Sequence, residues 1–457
     1  MDEVCNPTGM GSRRAPAKLY GAFSRRMLLS ECCCFSNCIL NKHLYGITTS
    51  LQKDKRFQIN MTETPSNNFW SIFRIFLVLG LTSFGGPVAH LGYFRTEFVE
   101  KRKWLTERDY AELVALCQFL PGPASSQVGL ALGLLRGRYR GALAAWLGFT
   151  LPSALVLILF SLSLASLQSP LLQGALQGLK LVAVAVVAHA VWGMAKSLCN
   201  TVPKISIMVL SAVLLLLFPV IWLQPVVILM GALLGYFLLK QEAAAAASAL
   251  PLNVSNTAAK VYGLLFLVLL FGLPLVAQLY PGAVVTLFDI FYRAGALVFG
   301  GGHVVLPLLQ AEVVPTGLVS ADNFIAGYAA AQAVPGPLFT LAAFLGAASH
   351  GELSGVSGGG VALLAIFLPS FLVLAAVLPY WQKLRASHHV CRLMAGVGAS
   401  VTGILLSALY QPIWQSSVFG ATDFALALLG FIALQFWRLP AWLLVLAGCL
   451  IGLARVL

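Results

Sequence analysis

Residues 118–127 read Gln118-Phe119-Leu120-Pro121-Gly122-Pro123-Ala124-Ser125-Ser126-Gln127, and residues 332–340 read Gln332-Ala333-Val334-Pro335-Gly336-Pro337-Leu338-Phe339-Thr340. Each stretch lies near the middle of an apolar segment. A proline removes a backbone donor and clashes with the preceding turn. Two prolines around a glycine therefore predict a helix that breaks rather than bends. The echo extends outward. Phe84-Gly85-Gly86-Pro87 is matched by Phe299-Gly300-Gly301-Gly302, and a histidine follows each, His90 and His303. Gly133 is matched by Gly346, and Phe149-x-Leu-Pro152-Ser153 by Phe367-Leu-Pro369-Ser370. Four landmarks in one order, at offsets of 215, 214, 213 and 217, identify an internal repeat. Such repeats are the usual ground plan of secondary transporters.

The solvent around these repeats follows from composition. Of 457 residues only 10% are charged and 59% are hydrophobic, against roughly a quarter charged in soluble domains. The apolar runs are continuous and of helical spanning length rather than alternating. They predict an all-α integral membrane protein, because only a helix satisfies its own backbone within one segment in lipid. Spans are expected at about 72–94, 111–135, 141–167, 171–196, 205–221 and 224–240, with one linker span at 261–280. A second set follows at about 285–309, 324–349, 359–381, 390–411, 420–436 and 440–456, for about 13 transmembrane helices. The expected domains are an N-terminal extension (1–68), a first repeat (69–240), a linker (241–284) and a second repeat (285–457).

Six spans plus one linker span is an odd number, so the second repeat is expected upside down relative to the first. With a cytoplasmic N-terminus, Arg136, Arg138, Arg140, Lys196, Lys204, Lys240, Lys260, Lys383, Arg385, Arg392 and Arg438 fall inside, as the positive-inside rule asks. The segment 95–112 is the exception. It carries Arg95, Lys101, Arg102, Lys103 and Arg108 and would be external. If 111–135 were instead re-entrant, bent back at Pro121, the parity would change and the repeats would be parallel.

The net charge of +13 sits mostly between apolar runs and reads as topology control, so no nucleic acid partner is expected. The cysteines show no metal spacing and no disulfide framework, and no cofactor, metal or catalytic site is expected. Residues 1–60 hold nine Lys/Arg and four Asp/Glu. They read as a disordered tail, a sequence ahead of a start at Met61, a transit peptide, or an anchor palmitoylated at Cys32-Cys33-Cys34.

The breaks are where chemistry is expected. A broken helix exposes N–H groups at the start of its second half, where the dipole is positive, and such a terminus accepts anions. Candidate substrate contacts are Gln118, Pro121, Gly122, Pro123, Ser125 and Ser126 in the first copy, and Gln332, Pro335, Gly336 and Pro337 in the second. Gly85, Gly86 and Pro87, with Gly300 and Gly301, offer backbone that a ligand can approach closely. Against this stands close helix packing through small residues. His90 and His303 are candidates for a charge or proton, or simply interfacial residues. Arg293 pairs with Asp289 at i, i+4, and either Arg293 or Arg95 is the candidate for full positive charge. Lys180 and Arg74 are expected to carry a charge in a span or to snorkel. Arg95–Glu112 resembles an amphipathic surface helix with Trp104 at the interface.

Cation pumps place Asp or Glu in the core; this core has almost none, which points to an anion. There is no GxxxxGK[ST] element, HExxH or nucleophile elbow. A small-anion secondary transporter is therefore the reading, with an anion channel as its alternative and a membrane-embedded enzyme lacking any constellation.

At Gly85-Gly86, Val99, Trp104, Pro121-Gly122-Pro123, Gly133 and Gly141 the sequence resembles the chromate ion transporter family. Phe299-Gly300-Gly301 and Pro335-Gly336-Pro337 repeat a weaker form of the pattern, and the likeness covers residues 69–457. The resemblance implies two homologous antiparallel halves and export of chromate, a dianion shaped like sulfate, giving chromate resistance. Sulfate or another inorganic anion is the alternative substrate. It is compatible with a homodimer in the lipid bilayer of the plasma membrane or of an organelle. The second copy departs from the pattern: it lacks a counterpart of Val99–Trp104, and its 310–323 loop has Glu312 and Asp322 but no Lys or Arg.

Overall fold

The computed structural model describes residues 68–166, 170–218, 220, 223–240, 254–299 and 302–456. The N-terminal extension, the polar part of the linker, Gly300, Gly301 and the side chain of His303 lie outside the described residues.

Every described element is helical. The first half holds α1 (Phe69–Thr82), α2 (Gly86–Phe94, continued by a wider turn over Arg95–Lys101), α3 (Glu107–Phe119), α4 (Ala124–Ser166), α5 (Pro170–Leu198), α6 (Val202–Leu217) and α7 (Leu223–Leu238). The linker helix is α8 (Asn256–Leu279). The second half holds α9 (Ala283–Leu297), α10 (Val305–Val313), α11 (Ala321–Ala333), α12 (Leu341–Ala347), α13 (Gly355–Val377), α14 (Trp381–Ala386), α15 (His388–Ala408), α16 (Ala421–Gln435) and α17 (Ala441–Ala454). Five stretches are long and apolar enough to cross a membrane: Ala124–Leu164, Gln173–Leu198, Asn256–Leu279, Gly355–Ala386 and His388–Gln411.

The runs read as single spans at 72–94 and 111–135 are each two shorter helices. α1 stops at Ser83, and Gly85 (φ 103°) and Gly86 (φ 76°) turn the chain in a left-handed conformation that a side chain would strain. α2 then runs back along α1. Phe94 meets the Phe76 ring edge-on at 5.8 Å, and Phe98 stacks on it at 5.0 Å. The second break behaves alike. α3 leaves from beside Trp104, and α4 returns from Pro123 until Arg136 lies 4.9 Å from the Trp104 ring. At Gly137–Arg138 α4 reverses again, and its second half runs on to Ser166. In the other half, Arg293 of α9 reaches Glu312 of α10 at 2.6 Å. The end of α12 comes back to the start of α11, where His350 N–H donates to the Leu318 carbonyl at 2.8 Å. Both halves thus open with two helical hairpins whose tips are the predicted breaks.

The hairpins pack on the long helix that follows them, α1 on α4 and α9 on α13. Glycine pairs allow this approach in both halves. A Cβ on Gly133 would lie 2.3 Å from the Gly141 carbonyl oxygen, and one on Gly346 would lie 2.3 Å from that of Gly358. Without a water-driven force between helices in lipid, such contact is what holds them together.

The two halves also exchange partners. α6 and α7 pack on α15 of the second half, while α16 and α17 pack on α5 of the first. The linker α8 packs on α13 and α9 of the second half, where Tyr292 Oη donates to the Phe266 carbonyl at 3.1 Å. Only its Ala259 is buried.

Candidate functional site

The hairpin tips of the two halves meet. Gly122 N–H donates to the Val298 carbonyl at 2.7 Å, and Gly336 N–H donates to the Ser83 carbonyl at 3.0 Å. Each Pro-Gly-Pro loop therefore bonds to the residue that ends the first helix of the other half, Val298 after α9 and Ser83 after α1. The exchange is repeated by side chains. A Cβ on Gly122 would sit 2.5 Å from Ser370 Oγ, and one on Gly336 would sit 2.8 Å from Ser153 Oγ. Both glycines need positive φ, 115° and 108°. The serines follow the prolines of α13 and α4 that already stood out as landmarks of the repeat.

Around this crossing the side chains are polar, buried and uncharged. Ser83, Ser125, Ser126, Gln127, Thr150, Ser153 and Ser370 are all buried. Gln127 Nε2 donates to the Pro121 carbonyl at 2.7 Å, and Gln127 N–H to the Pro123 carbonyl at 2.9 Å, so its side chain holds the loop closed. His90 Nε2 lies 3.2 Å from the Ser83 carbonyl, and its ring meets Phe149 edge-on at 5.2 Å. In the second half, Thr340 donates to the Pro337 carbonyl from both N–H (3.0 Å) and Oγ1 (2.7 Å). Several polar atoms are left over. Ser83 Oγ, His90 Nδ1, Ser126 Oγ, Gln127 Oε1, Thr150 Oγ1 and Ser370 Oγ have no hydrogen-bond partner among the described residues. An unpaired buried polar atom costs about 1–3 kcal/mol, so these six are the polar groups whose burial the described residues leave uncompensated at the crossing.

Most predicted site residues fall at this crossing. Gly85 is exposed at the first tip, Gly86 and Pro87 follow it, and a Cβ on Gly302 would come 3.2 Å from Pro87. Gln118 is exposed and Gln332 half-buried, each about one turn before its break. Pro335 lies within the second break.

Both expected charges are engaged elsewhere. Arg95 sits at the far end of α2, half-exposed, bound to Glu100 at 2.6 Å and Glu107 at 2.5 Å. Arg293 is held by Asp289 at 2.9 Å and, across the hairpin, by Glu312 at 2.6 Å. The i, i+4 pair was readable; the Glu312 contact, 19 residues away, was not. Lys180 pairs with Asp322 at 2.5 Å. Near Arg95, burial raises the Glu97 carboxyl, but hydrogen bonds and charge from Arg102 and Lys101 outweigh it and leave its pKa below the ordinary value. Sequence reading missed Ser83, Thr150, Ser153, Ser370 and the Val298 carbonyl as members of the crossing. The Pro-Ser landmark in both repeats was the one available signal.

A helical membrane bundle whose centre is made of broken helices and uncharged polar groups, with no group of three or more possible metal ligands among the described residues, is that of a multi-pass membrane transporter. The chain belongs to the chromate transporter family, whose model matches residues 70–236 and again residues 285–453. It is 27% identical over 404 residues to a chromate transport protein of Cupriavidus metallidurans, covering 85% of this chain and 94% of the relative. A chromate transport protein of Pseudomonas aeruginosa is 29% identical over 361 residues, 75% and 80% of the two chains. An uncharacterized transporter of Methanocaldococcus jannaschii is 26% identical over 360 residues, 78% and 86%. No solved structure matches the chain.

Proposed function

We propose that the protein is a secondary transporter that exports chromate, or a tetrahedral dianion of the same shape such as sulfate, and so confers chromate resistance. The observation that carries this reading is the crossing of the two Pro-Gly-Pro loops. Donors from both halves converge there without a single carboxylate. Proteins bind oxyanions with backbone N–H groups and helix N-termini, without needing a full counter-charge. Here the first turn of α4 after Pro123 and the turn after Pro337 supply such termini, and Ser126, Ser370, Thr150 and Ser83 supply hydroxyls. The site discriminates against cations because it offers no full negative charge. Arg95 and Arg293 act on it only at a distance, if at all, since carboxylates occupy both.

The contacts also support an inverted arrangement. In this reading each hairpin enters and leaves on the same side, the two of the first half from one face and the two of the second half from the other. Each half then crosses the membrane four times, through α4–α7 in one and α13–α17 in the other, with α8 between them. Four crossings plus one is odd, so the second half is upside down. Trp104 beside Arg136, and Arg385 beside Glu112, bring the 95–112 segment to the same side as the other basic loops. Its cations then obey the positive-inside rule. The acidic 310–323 loop and Glu352 lie opposite. Rocking of the interlocked halves would expose the crossing to each side in turn. Each chain carries both breaks, so transport needs no second copy. A plasma membrane location agrees with an export role.

The test is flux of radiolabelled chromate into inside-out vesicles, with sulfate as competitor and an imposed potential. The Pro121→Ala/Pro123→Ala variant is expected to insert normally and to lose uptake. Undiminished flux at equal expression would remove the crossing as the site. Complete competition by sulfate, with sulfate carried faster, would reassign the substrate.

A further inference from the structure

A cavity of about 550 Å³ lies outside the crossing. It is an almost purely apolar slot between α4 and α13, with α8 and α9 at its rim, and Leu130, Trp146, Phe288, Leu364, Phe371 and Ala375 among its walls. At one end Tyr139 and Tyr262 close over it, their rings 6.0 Å apart. Three cations stand beside these tyrosines in the chain. Arg138 and Arg140 flank Tyr139, and Lys260 stands two residues before Tyr262. All three are exposed, and none pairs with a carboxylate among the described residues.

We propose that this slot is a binding site for one anionic phospholipid, its acyl chain between α4 and α13 and its phosphate under Arg138, Arg140 and Lys260. Three arguments support it. The slot opens on an exposed face of apolar helices, so its neighbour in the membrane is lipid. Tyrosines at the mouth have the amphipathic character that suits the headgroup level. The cations have no carboxylate partner among the described residues, and each Lys or Arg near an anionic lipid surface contributes about 1 kcal/mol of attraction.

The backbone of Arg138 adds an independent argument. It adopts φ 52°, ψ −145°, a region that glycine fills freely and other residues occupy at a cost of about 1–3 kcal/mol. A glycine stands next door at 137, yet the strained place holds an arginine. The exposed Arg138 therefore keeps a charged side chain at a turn where glycine would be unstrained. The lipid would also bridge the linker helix, which packs on α13 and α9, to α4 of the first half. The inference does not depend on which anion is transported.

The test uses Trp146, buried in the slot wall. The purified full-length protein is titrated with phosphatidylglycerol brominated on its acyl chains, and separately with brominated phosphatidylcholine. The component of tryptophan fluorescence lost in the Trp146→Phe variant should be quenched at about tenfold lower mole fraction by the anionic lipid. Arg138→Gly/Arg140→Gln/Lys260→Gln should abolish that preference while leaving quenching by phosphatidylcholine. Ala142→Phe, which narrows the slot, should weaken quenching by both lipids and serves should the triple variant fail to fold. Equal quenching by the two lipids would overturn the proposal. So would a preference that survives in a folded triple variant, or quenching of Trp146 that Ala142→Phe leaves untouched. Chromate flux through the triple variant separates this site from the crossing: loss of lipid preference with an unaltered apparent affinity for chromate is the expected pattern.

Discussion

At the residue scale the crossing rests on two glycines and the serines facing them. Gly122 and Gly336 combine a left-handed backbone with no room for a Cβ. Holding a side chain in that backbone conformation costs about 1–2 kcal/mol, and the clash with Ser370 or Ser153 comes on top. Gly122→Ala is therefore expected to lower the melting temperature in detergent and to abolish flux. Ser370→Ala should separate the two effects. Its hydroxyl is fully buried and unpaired, so removing it should leave stability unchanged or slightly raised. Flux of chromate should nonetheless fall, through a weaker apparent affinity, if the hydroxyl meets the anion. A Ser370→Ala protein with wild-type transport kinetics would mean that the serine only lines the loop.

At the element scale, sequence and structure part company in an instructive way. The repeat, the helical class and both break positions are legible, because proline and glycine act on their own backbone. The hairpins are legible only in part: a re-entrant 111–135 bent back at Pro121 stands as an alternative, whereas 72–94 reads as a full span. A run such as 72–94 has the length and hydropathy of a span, and nothing local states that Phe76 will meet Phe94 and Phe98. That is decided by tertiary contact. One trace of it was readable: five cations in 95–112 on what a simple span count makes the wrong side. Likewise Arg293 and Arg95 were visible as rare charges, but their partners Glu312 and Glu107 come from the fold. The hairpin reading makes a direct prediction. With native cysteines replaced, single cysteines at Arg108 and Arg140 should react with a membrane-impermeant maleimide from the same face of sealed vesicles. A cysteine at Glu352 should react from the opposite face. All three are exposed positions. Labelling of Arg108→Cys together with Glu352→Cys would restore a full span at 72–94.

At the scale of the whole molecule, the two halves are not two modules side by side. The last two helices of each half pack on a long helix of the other, α6 and α7 on α15, α16 and α17 on α5, and each Pro-Gly-Pro loop bonds to the helix end at the other half's first break. Neither half can bury α5 or α15 alone. This interlock places the most sensitive positions far from the site. Gly178 faces Gly448 across the α5–α17 contact, where an added Cβ would lie 1.9 Å from the Gly448 carbonyl oxygen. Gly193, on the same helix, has nothing within 4 Å of such a Cβ. Gly178→Ala should therefore push α17 off α5 and strain the join between the halves. Gly193→Ala should be neutral or stabilising, since alanine gains about 1 kcal/mol over glycine in a helix. Thermal unfolding in detergent should show a lower transition for the first and an equal or higher one for the second. Because α17 belongs to the second half and α5 to the first, the Gly178 variant should also lose transport although it touches no residue of the crossing. A Gly178→Ala protein that melts and transports like the parent would mean that the α5–α17 contact does not couple the halves.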